Sequence, residues 1–323
     1  MKHNISSNFS KDEMIAKICF GNLYIFYPPS SRYIATMTAG CVVGTLFSIA
    51  GIILNSLVLY IFWKSPRMRS KMTYFTIMVL SSIDLSVVTI VQPLASLELL
   101  NNILSTPECL YTVFIYHAGF FLCGMSLLTL FVINIERYFS IVRPILHRTM
   151  VTKRRFLLTC GFGWLVVLLA IASQALSPIV GLFAISIVLI IVCVTSFFVY
   201  FSIFLFARKR LRNVSTQDGN VNTHDNLLNF LRELKMAKTY VLIVSLSFIC
   251  YLPYGVSLIY YDIRGGVPEK PKVKYEKGIP LWVTAFLYMN STLNCLVFFW
   301  MNRELRNEGS KIVKKYFGIR DRR

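Results

Sequence analysis

No charged side chain occurs anywhere between Phe156 and Ala207. Built as one helix at 1.5 Å per residue, that stretch would reach about 78 Å, more than twice the ~30 Å hydrocarbon thickness of a bilayer. The chain must therefore fold back within it, and the polar break "SQALSP" at 173–178 is the one suitable place. Lipid offers no partners to backbone N–H and C=O groups, so the segments on either side of the break are expected to be helices. Apolar spans of comparable quality lie at 35–63, 73–100, 109–135, 156–176, 179–207, 238–262 and 279–300, seven in all. With 55% hydrophobic and 15% charged residues, the composition is that of a membrane protein.

Charge sets the orientation, because cytoplasmic loops collect Lys and Arg. With the N-terminus outside, the cytoplasmic segments hold 25 of the 34 basic residues: four at 64–71, six at 137–155, seven at 208–238 and eight at 303–323. The net charge of +19 is then a topology signal with an attraction to the inner leaflet, not a nucleic-acid footprint, since the charges flank spans and form no separate domain. The expected architecture is an all-α membrane protein, a seven-transmembrane helix bundle with a short amphipathic eighth helix. Residues 1–34 form an extracellular N-terminal tail, 35–300 the transmembrane domain, and 301–323 a cytoplasmic amphipathic helix and tail. In that last segment "NRELRNEGSKIVKKYF" places apolar residues at helical spacing among charges, as a helix lying on the inner leaflet does.

Residues 1–34 are polar with scattered charges and carry no cleavable signal pattern, so the first span is expected to act as its own insertion signal. Asn4 and Asn8 head glycosylation sequons in this outer tail. Of eight cysteines only Cys19 and Cys109 fall where an oxidising exterior would let them meet, either as a disulfide or as two free thiols. The loops are too short for a soluble catalytic domain. A pump needs a chain of titratable groups and a metal-dependent enzyme needs clustered His, Asp or Glu. One deep aspartate, Asp84, and one histidine near a span, His117, supply neither, so no enzyme activity is expected.

At the end of the third span stands "FVINIERYFSIVRP", in which Glu136, Arg137 and Tyr138 close an apolar run and Pro144 with Ile145 follows. Charges at a helix end can simply snorkel to headgroups. Yet these residues resemble the Glu/Asp-Arg-Tyr signature and second cytoplasmic loop of rhodopsin-like G-protein-coupled receptors, and each span adds a landmark. "LNSLV" holds Asn55, with Leu54 where the family has glycine. "LSSIDLS" holds Asp84, and Trp164 is the fourth-span tryptophan. Tyr200 with Ile203 matches the fifth-span Tyr-x-x-Ile, although Val192 stands for a proline. "CYLP" ending at Pro253 is similar to Cys-Trp-x-Pro, with Tyr251 for tryptophan. "NSTLNCLVFF" from Asn290 is similar to Asn-Ser-x-x-Asn-Pro-x-x-Tyr, with Cys295 for proline and Phe298 for tyrosine.

The resemblance implies a receptor that passes an extracellular signal to a heterotrimeric G protein; the alternatives are a relative that no longer signals and a seven-helix transporter. It implies an activation switch built from Glu136, Arg137, Tyr138, Ile145, Tyr200, Glu233, Pro253, Asn294 and Phe298. Arg137 has two candidate partners, Glu136 and Glu233, and as a surface ion pair either is worth only ~0–1 kcal/mol. The resemblance also implies an allosteric sodium site at Asp84, Ser126, Asn290 and Asn294, with Asn55 and Ser291 nearby, because a hard cation takes oxygen ligands. A ligand pocket is implied at Gly119, Phe120, Cys123, Tyr251, Tyr254, Leu258, Thr284 and Tyr288. Gly119 stands where aminergic receptors carry an aspartate, and Tyr288 where opsins carry a lysine, so neither an ammonium ligand nor a retinal Schiff base is expected. The expected residence is the plasma membrane, in contact with lipid. Glycan is expected on Asn4 or Asn8 and none on Asn213; peptide mapping before and after deglycosylation checks this, and sugar on Asn213 would invert the topology.

Overall fold

The computed structural model describes residues 15–20, 23–27, 31–104, 106, 108–214, 221–263 and 279–316, with side chains withheld in the two strands and at several helix ends. Asn4 and Asn8 and the side chains of Cys19, Glu233 and Leu258 lie outside the described residues. Among the described residues, seven helices are long and apolar enough to cross a membrane. They are α1 (Ser31–Lys64), α3 with α4 (Met72–Ser86 and Gln92–Ile103), α5 (Cys109–Val142), α7 (Lys153–Leu176), α8 (Pro178–Val214), α9 (Val221–Ile263) and α10 (Ile279–Met301). Short helices α2 (Pro66–Ser70) and α6 (Pro144–Met150) sit in the loops after the first and third spans, and α11 (Arg303–Tyr316) is the eighth, amphipathic helix.

The uncharged run folds back where the polar break stands. Ser177 alone separates α7 from α8: its N–H still bonds to Ser173 O, and Pro178 opens the next helix, a position where a missing donor costs nothing. At its other end α7 starts at Thr152, whose hydroxyl accepts from Arg155 N at 3.3 Å. The second span is interrupted by a π turn at Val87–Val91. Pro93 follows, and its ring and missing donor disturb the backbone one turn earlier, which the wider turn absorbs. The third span extends to Val142, beyond the expected end at 135, because Glu136 and Arg137 neutralise one another and need not mark the helix end. In the tail, β1 (Ile15–Phe20) and β2 (Leu23–Tyr27) pair antiparallel, from Ile15 opposite Tyr27 to Phe20 opposite Leu23. The expectation of a plain polar tail overlooked these runs, whose β-branched and aromatic content favours pairing. β1 lies against α5.

The bundle closes through small residues. A side chain at Gly51 would put its Cβ 2.5 Å from Thr292 Oγ1 and 2.6 Å from Val88 Cγ1, so glycine lets α1 approach α10 and the π turn. Thr292 then donates to Phe47 O at 2.9 Å. Across the bundle, Trp164 Nε1 donates to Thr129 Oγ1 at 3.0 Å and ties the fourth span to the third. Large apolar residues on α7 and α8 such as Leu169, Phe183, Ile190 and Phe197 face outward, as lipid demands.

Helix α11 is fastened at its start. Asn302 Oδ1 accepts from Leu305 N at 3.1 Å, the N-cap pattern, and Leu305 is buried beneath it. Glu304 in the first turn accepts from Tyr74 Oη at 2.7 Å and pairs with Lys71 at 3.1 Å and Arg67 at 3.4 Å, joining α11 to α2 and α3. The Tyr74 hydrogen bond, then the Lys71 hydrogen bond and the charges of Lys71 and Arg67, hold the Glu304 carboxyl below the usual carboxylate range against partial burial. A lowered carboxyl stabilises the attached state above its free pKa and loses that contribution as pH falls through the lowered value. Glu304→Gln is therefore expected to loosen α11 from α2 at neutral pH, read as a broader distance distribution between spin labels on the two helices. The difference from the parent chain should vanish in acid below the carboxylate range; an unchanged distribution at neutral pH would refute the clamp.

Candidate functional site

A guanidinium keeps its charge at any pH a cell reaches, so burying one demands partners on every side. Arg137 is 1% exposed near the C-terminal end of α5. Its Nε and Nη2 fork onto the two carboxylate oxygens of Glu136, the second bond at 2.6 Å. Glu136 is itself 3% exposed and accepts at Oε1 from His147 Nε2 at 2.7 Å, which places the proton on that nitrogen and ties α6 to the same acid. The open face of the guanidinium is covered by the ring of Tyr240 on α9, with Cζ 5.6 Å from the centroid. Tyr240 is fully buried, lies edge-on to Phe298 of α10 at 5.7 Å, and brings its hydroxyl 3.4 Å from Thr76 Oγ1 on α3. The cation of α5 thus lies under Tyr240 of α9, on which α3 and α10 also converge.

This corrects the expectation of a surface pair. The Glu136–Arg137 bridge is sealed, so the modest energy of exposed ion pairs does not apply, and removing either partner strands the other charge. The third span is also held to the fifth: Asn134 donates to Ser196 Oγ at 3.2 Å and accepts from Tyr200 Oη. Tyr138 is half-buried, edge-on to Phe139. Ile145 projects from α6 with 81% of its surface exposed. Tyr240, Asn134 and His147 were not anticipated. The only sequence signal for Tyr240 is its place thirteen residues before Pro253.

Deeper in the bundle Asp84 is 1% exposed. Ser126 Oγ donates to its Oδ1 at 2.8 Å and Asn294 Nδ2 to its Oδ2 at 3.0 Å, linking the second span to the third and seventh. The Asn294 Oδ1 is buried without a partner among the described residues. Asn290 points elsewhere, accepting from Ser247 Oγ of α9 at 3.0 Å. Asn55 does not reach Asp84 either; its amide donates to Gly51 O at 2.9 Å and Ser291 O at 3.4 Å. The Asp84 carboxylate and the Ser126 hydroxyl are oxygen donors of the kind a small hard cation takes, while Asn294 meets the carboxylate through its amide nitrogen. Among the described residues no group of three or more His, Cys, Asp or Glu is gathered for a transition metal.

Toward the outer half, Tyr251 Oη donates to Cys123 O at 2.8 Å and joins the sixth span to the third, two residues from Pro253 within α9. Phe120 and Tyr254 meet edge-on at 5.2 Å. These four line a narrow apolar crevice with a void of about 60 Å³, whose far wall includes Val167, Ala170, Val188 and Leu189 of α7 and α8. Gly119, Thr284 and Tyr288, expected in the pocket, do not line it. Tyr288 has filled that space: a Cβ on Gly119 would fall 2.5 Å from its hydroxyl. Cys109, at the start of α5, is disulfide-bonded, whereas Cys41, Cys123, Cys160, Cys193, Cys250 and Cys295 are free.

The family model described as 7 transmembrane receptor (rhodopsin family) matches residues 54–178. Curated relatives include the histamine H2 receptor of Rattus norvegicus, 26% identical over 57% of this chain and 54% of its own. The adenosine receptor A3 of Ovis aries is 24% identical over 83% of this chain and 87% of its own, and the QRFP-like peptide receptor of Branchiostoma floridae is 29% identical over 49% and 40%. The chain spans about half the length of the histamine receptors it matches. With seven spans and these matches, the chain is similar to rhodopsin-like seven-transmembrane receptors and is a multi-pass membrane protein.

Truncating Glu136 to alanine is expected to cost about 3–5 kcal/mol, the scale for leaving a buried charge unpaired. Removing both partners should cost less than the two single losses together. Thermal unfolding of the two single variants and the double variant in detergent measures the coupling; strictly additive losses would show that the pair is not the unit described.

Proposed function

We propose that this chain is a plasma-membrane receptor, N-terminus outside and C-terminus in the cytosol, that converts ligand binding into activation of a heterotrimeric G protein. The observation that carries the reading is the cage around Arg137, assembled from α3, α5, α9 and α10 at the cytoplasmic end. Such a cage is a closed state. To open it, the inner half of α9 must swing outward and lift Tyr240 from the guanidinium and from Phe298. Pro253 supplies the hinge, since it removes one backbone donor and crowds the preceding turn.

The energies suit a reversible device. A desolvated cation–π contact is worth about 2 kcal/mol and a neutral hydrogen bond about 1 kcal/mol. Shifting a two-state balance from 1:99 to 99:1 takes about 5.5 kcal/mol of differential ligand affinity, within reach of an ordinary binding site. Opened, the crevice would present Arg137, Tyr138 and Tyr200 beside the exposed Ile145 to a Gα subunit, with Glu233 at the inner end of α9 as a further candidate contact. Asn294 joins this path to the Asp84 cluster above it. If sodium binds there, it supplies a positive charge that favours the compact arrangement. Asp84, Ser126 and Asn294 would hold it, and Asn290 only after leaving Ser247. A disulfide between Cys109 and Cys19 would fasten the tail over the outer end of α5.

Relatives named for histamine, adenosine and a peptide supply the first ligand panel. The test is nucleotide exchange on purified heterotrimers by the chain reconstituted in lipid nanodiscs. Tyr240→Leu uncovers Arg137 and is expected to raise basal exchange. Arg137→Lys keeps the charge but loses the planar fork, and is expected to lower exchange roughly tenfold, equivalent to ~1.4 kcal/mol. If both variants, folded and inserted, match the parent chain in a preparation that exchanges nucleotide, the proposed role of the cage fails.

A further inference from the structure

We infer that the cleft between α2 and α11 is a binding site for a phosphorylated lipid headgroup, one that carries a phosphomonoester besides the diester of its lipid linkage. The site is separate from the Arg137 cage and does not depend on the receptor reading above. The first support is room. Between Arg67 and Met68 on one side and Asn307, Lys311 and Lys314 on the other lies a cavity of about 410 Å³. That volume is within the range of sites that hold small molecules. Its walls are fixed before any ligand arrives. Glu304 accepts from Tyr74 Oη at 2.7 Å and pairs with Lys71 at 3.1 Å, which ties α11 to the loop and to α3. A Cβ on Gly309 would stand 3.3 Å from Phe299 Cε1 and 3.4 Å from Ile61 Cδ1, so this buried glycine seats α11 directly on α10 and α1.

The second support is chemical. Arg67, Lys311 and Lys314 bring three cations to the cavity, against the carboxylates of Glu304 and Glu308. Glu304 is matched by Lys71, which stands outside the cavity, so positive charge is in excess within it. Arg67 reaches Glu304 at 3.4 Å and Lys311 reaches Glu308 at 2.8 Å, both as exposed pairs of the kind that hold weakly and yield to a stronger anion. Ser65 occupies the N-cap position of α2, yet its hydroxyl does not cap the helix. That hydroxyl, with Ser310 Oγ and the Asn307 amide, adds neutral donors to the same lining. A phosphodiester offers two free oxygens, too few for so many donors, whereas a monoester adds three more and a second charge. A ligand ammonium would find Glu308 alone among three cations.

The third support is depth. Trp63 and Trp300, at the ends of the first and seventh spans, are 66% and 69% exposed, as aromatic residues at a membrane interface are. Ser65 follows Trp63 by two residues and Arg303 follows Trp300 by three, so the cavity opens at the level of the headgroups. A lipid can leave its chains in hydrocarbon beside the two indole rings while its phosphates enter between α2 and α11, an arrangement that a freely dissolved phosphate compound cannot use. On the orientation proposed above this is the inner leaflet. The bound headgroup bridges α2 and α11, at the joint that Glu304 already fastens.

The test uses the purified full chain in a neutral detergent, with bound lipid counted by native mass spectrometry. Phosphatidylinositol bisphosphate is expected to be retained. Phosphatidylserine, anionic but without a monoester, and inositol trisphosphate, phosphorylated but without chains, should each be held at least roughly tenfold more weakly. Lys311→Gln combined with Lys314→Gln should lower retention of the bisphosphate roughly tenfold while thermal unfolding stays near that of the parent. Glu308→Gln removes the competing carboxylate and should raise retention. Arg154→Gln combined with Lys209→Gln removes the same charge from exposed positions outside the cavity and should change nothing. Equal loss in this second pair, or equal retention of phosphatidylserine, would reduce the cavity to an unselective basic surface and overturn the inference. Inositol trisphosphate held as tightly as the lipid would overturn the assignment to a membrane headgroup.

Discussion

Sealing the charge of Arg137 away from both water and lipid is the constraint around which the half of the bundle at the C-terminal end of α5 is arranged. Glu136 supplies the countercharge through a two-pronged bridge, and His147 fixes the acid from the loop helix α6. Tyr240 covers the remaining face and Phe298 backs Tyr240. A buried ion pair of this kind is poor value as a stabiliser, since well-packed apolar residues of similar volume commonly do as well or better. On the proposed function the pair serves instead an arrangement with two discrete states, one with the cation enclosed, as here, and one with it offered to a partner.

The cage is the lowest of three polar crossings spaced along the bundle axis. Above it Asp84 draws the second, third and seventh spans together through Ser126 and Asn294, and Ser247 to Asn290 binds the sixth to the seventh. Higher still, Tyr251 to Cys123 O fastens the sixth to the third. The sixth span takes part in all three crossings, through Tyr240, Ser247 and Tyr251, and carries Pro253 two residues beyond the upper one. A displacement at the crevice is thereby geometrically connected to Tyr240, by one helix with one weak point, without any need for a longer chain of side-chain contacts.

Much of this was legible in the linear chain. The uncharged run from Phe156 to Ala207 forced a reversal at Ser177, and seven spans followed from the same physics applied elsewhere. Asp84 and Arg137 stood out because ionisable residues in apolar surroundings are expensive and need partners. Which partners was not legible. Asn55 and Asn290 sit at depths that suggested the Asp84 cluster, yet helix rotation turns them toward the Gly51 and Ser291 carbonyls and toward Ser247. Tyr240 reads as one more aromatic residue in an amphipathic stretch, and only the approach of α9 to α5 makes it the lid of a cation site.

The sequence by itself therefore determined the number of spans, their reversal points and the depth of each polar group, because hydrocarbon thickness and backbone hydrogen bonding act on each segment separately. Tertiary structure alone decided that the Glu136–Arg137 pair is enclosed instead of facing solvent, that Tyr288 fills the space beside Gly119, and that Gly124 lets the third span close on Val167 of the fourth. Those outcomes depend on the rotation and approach of helices remote in sequence, set to within an ångström by glycines such as Gly51 and by the side chains packed against them, and no local pattern encodes such distances.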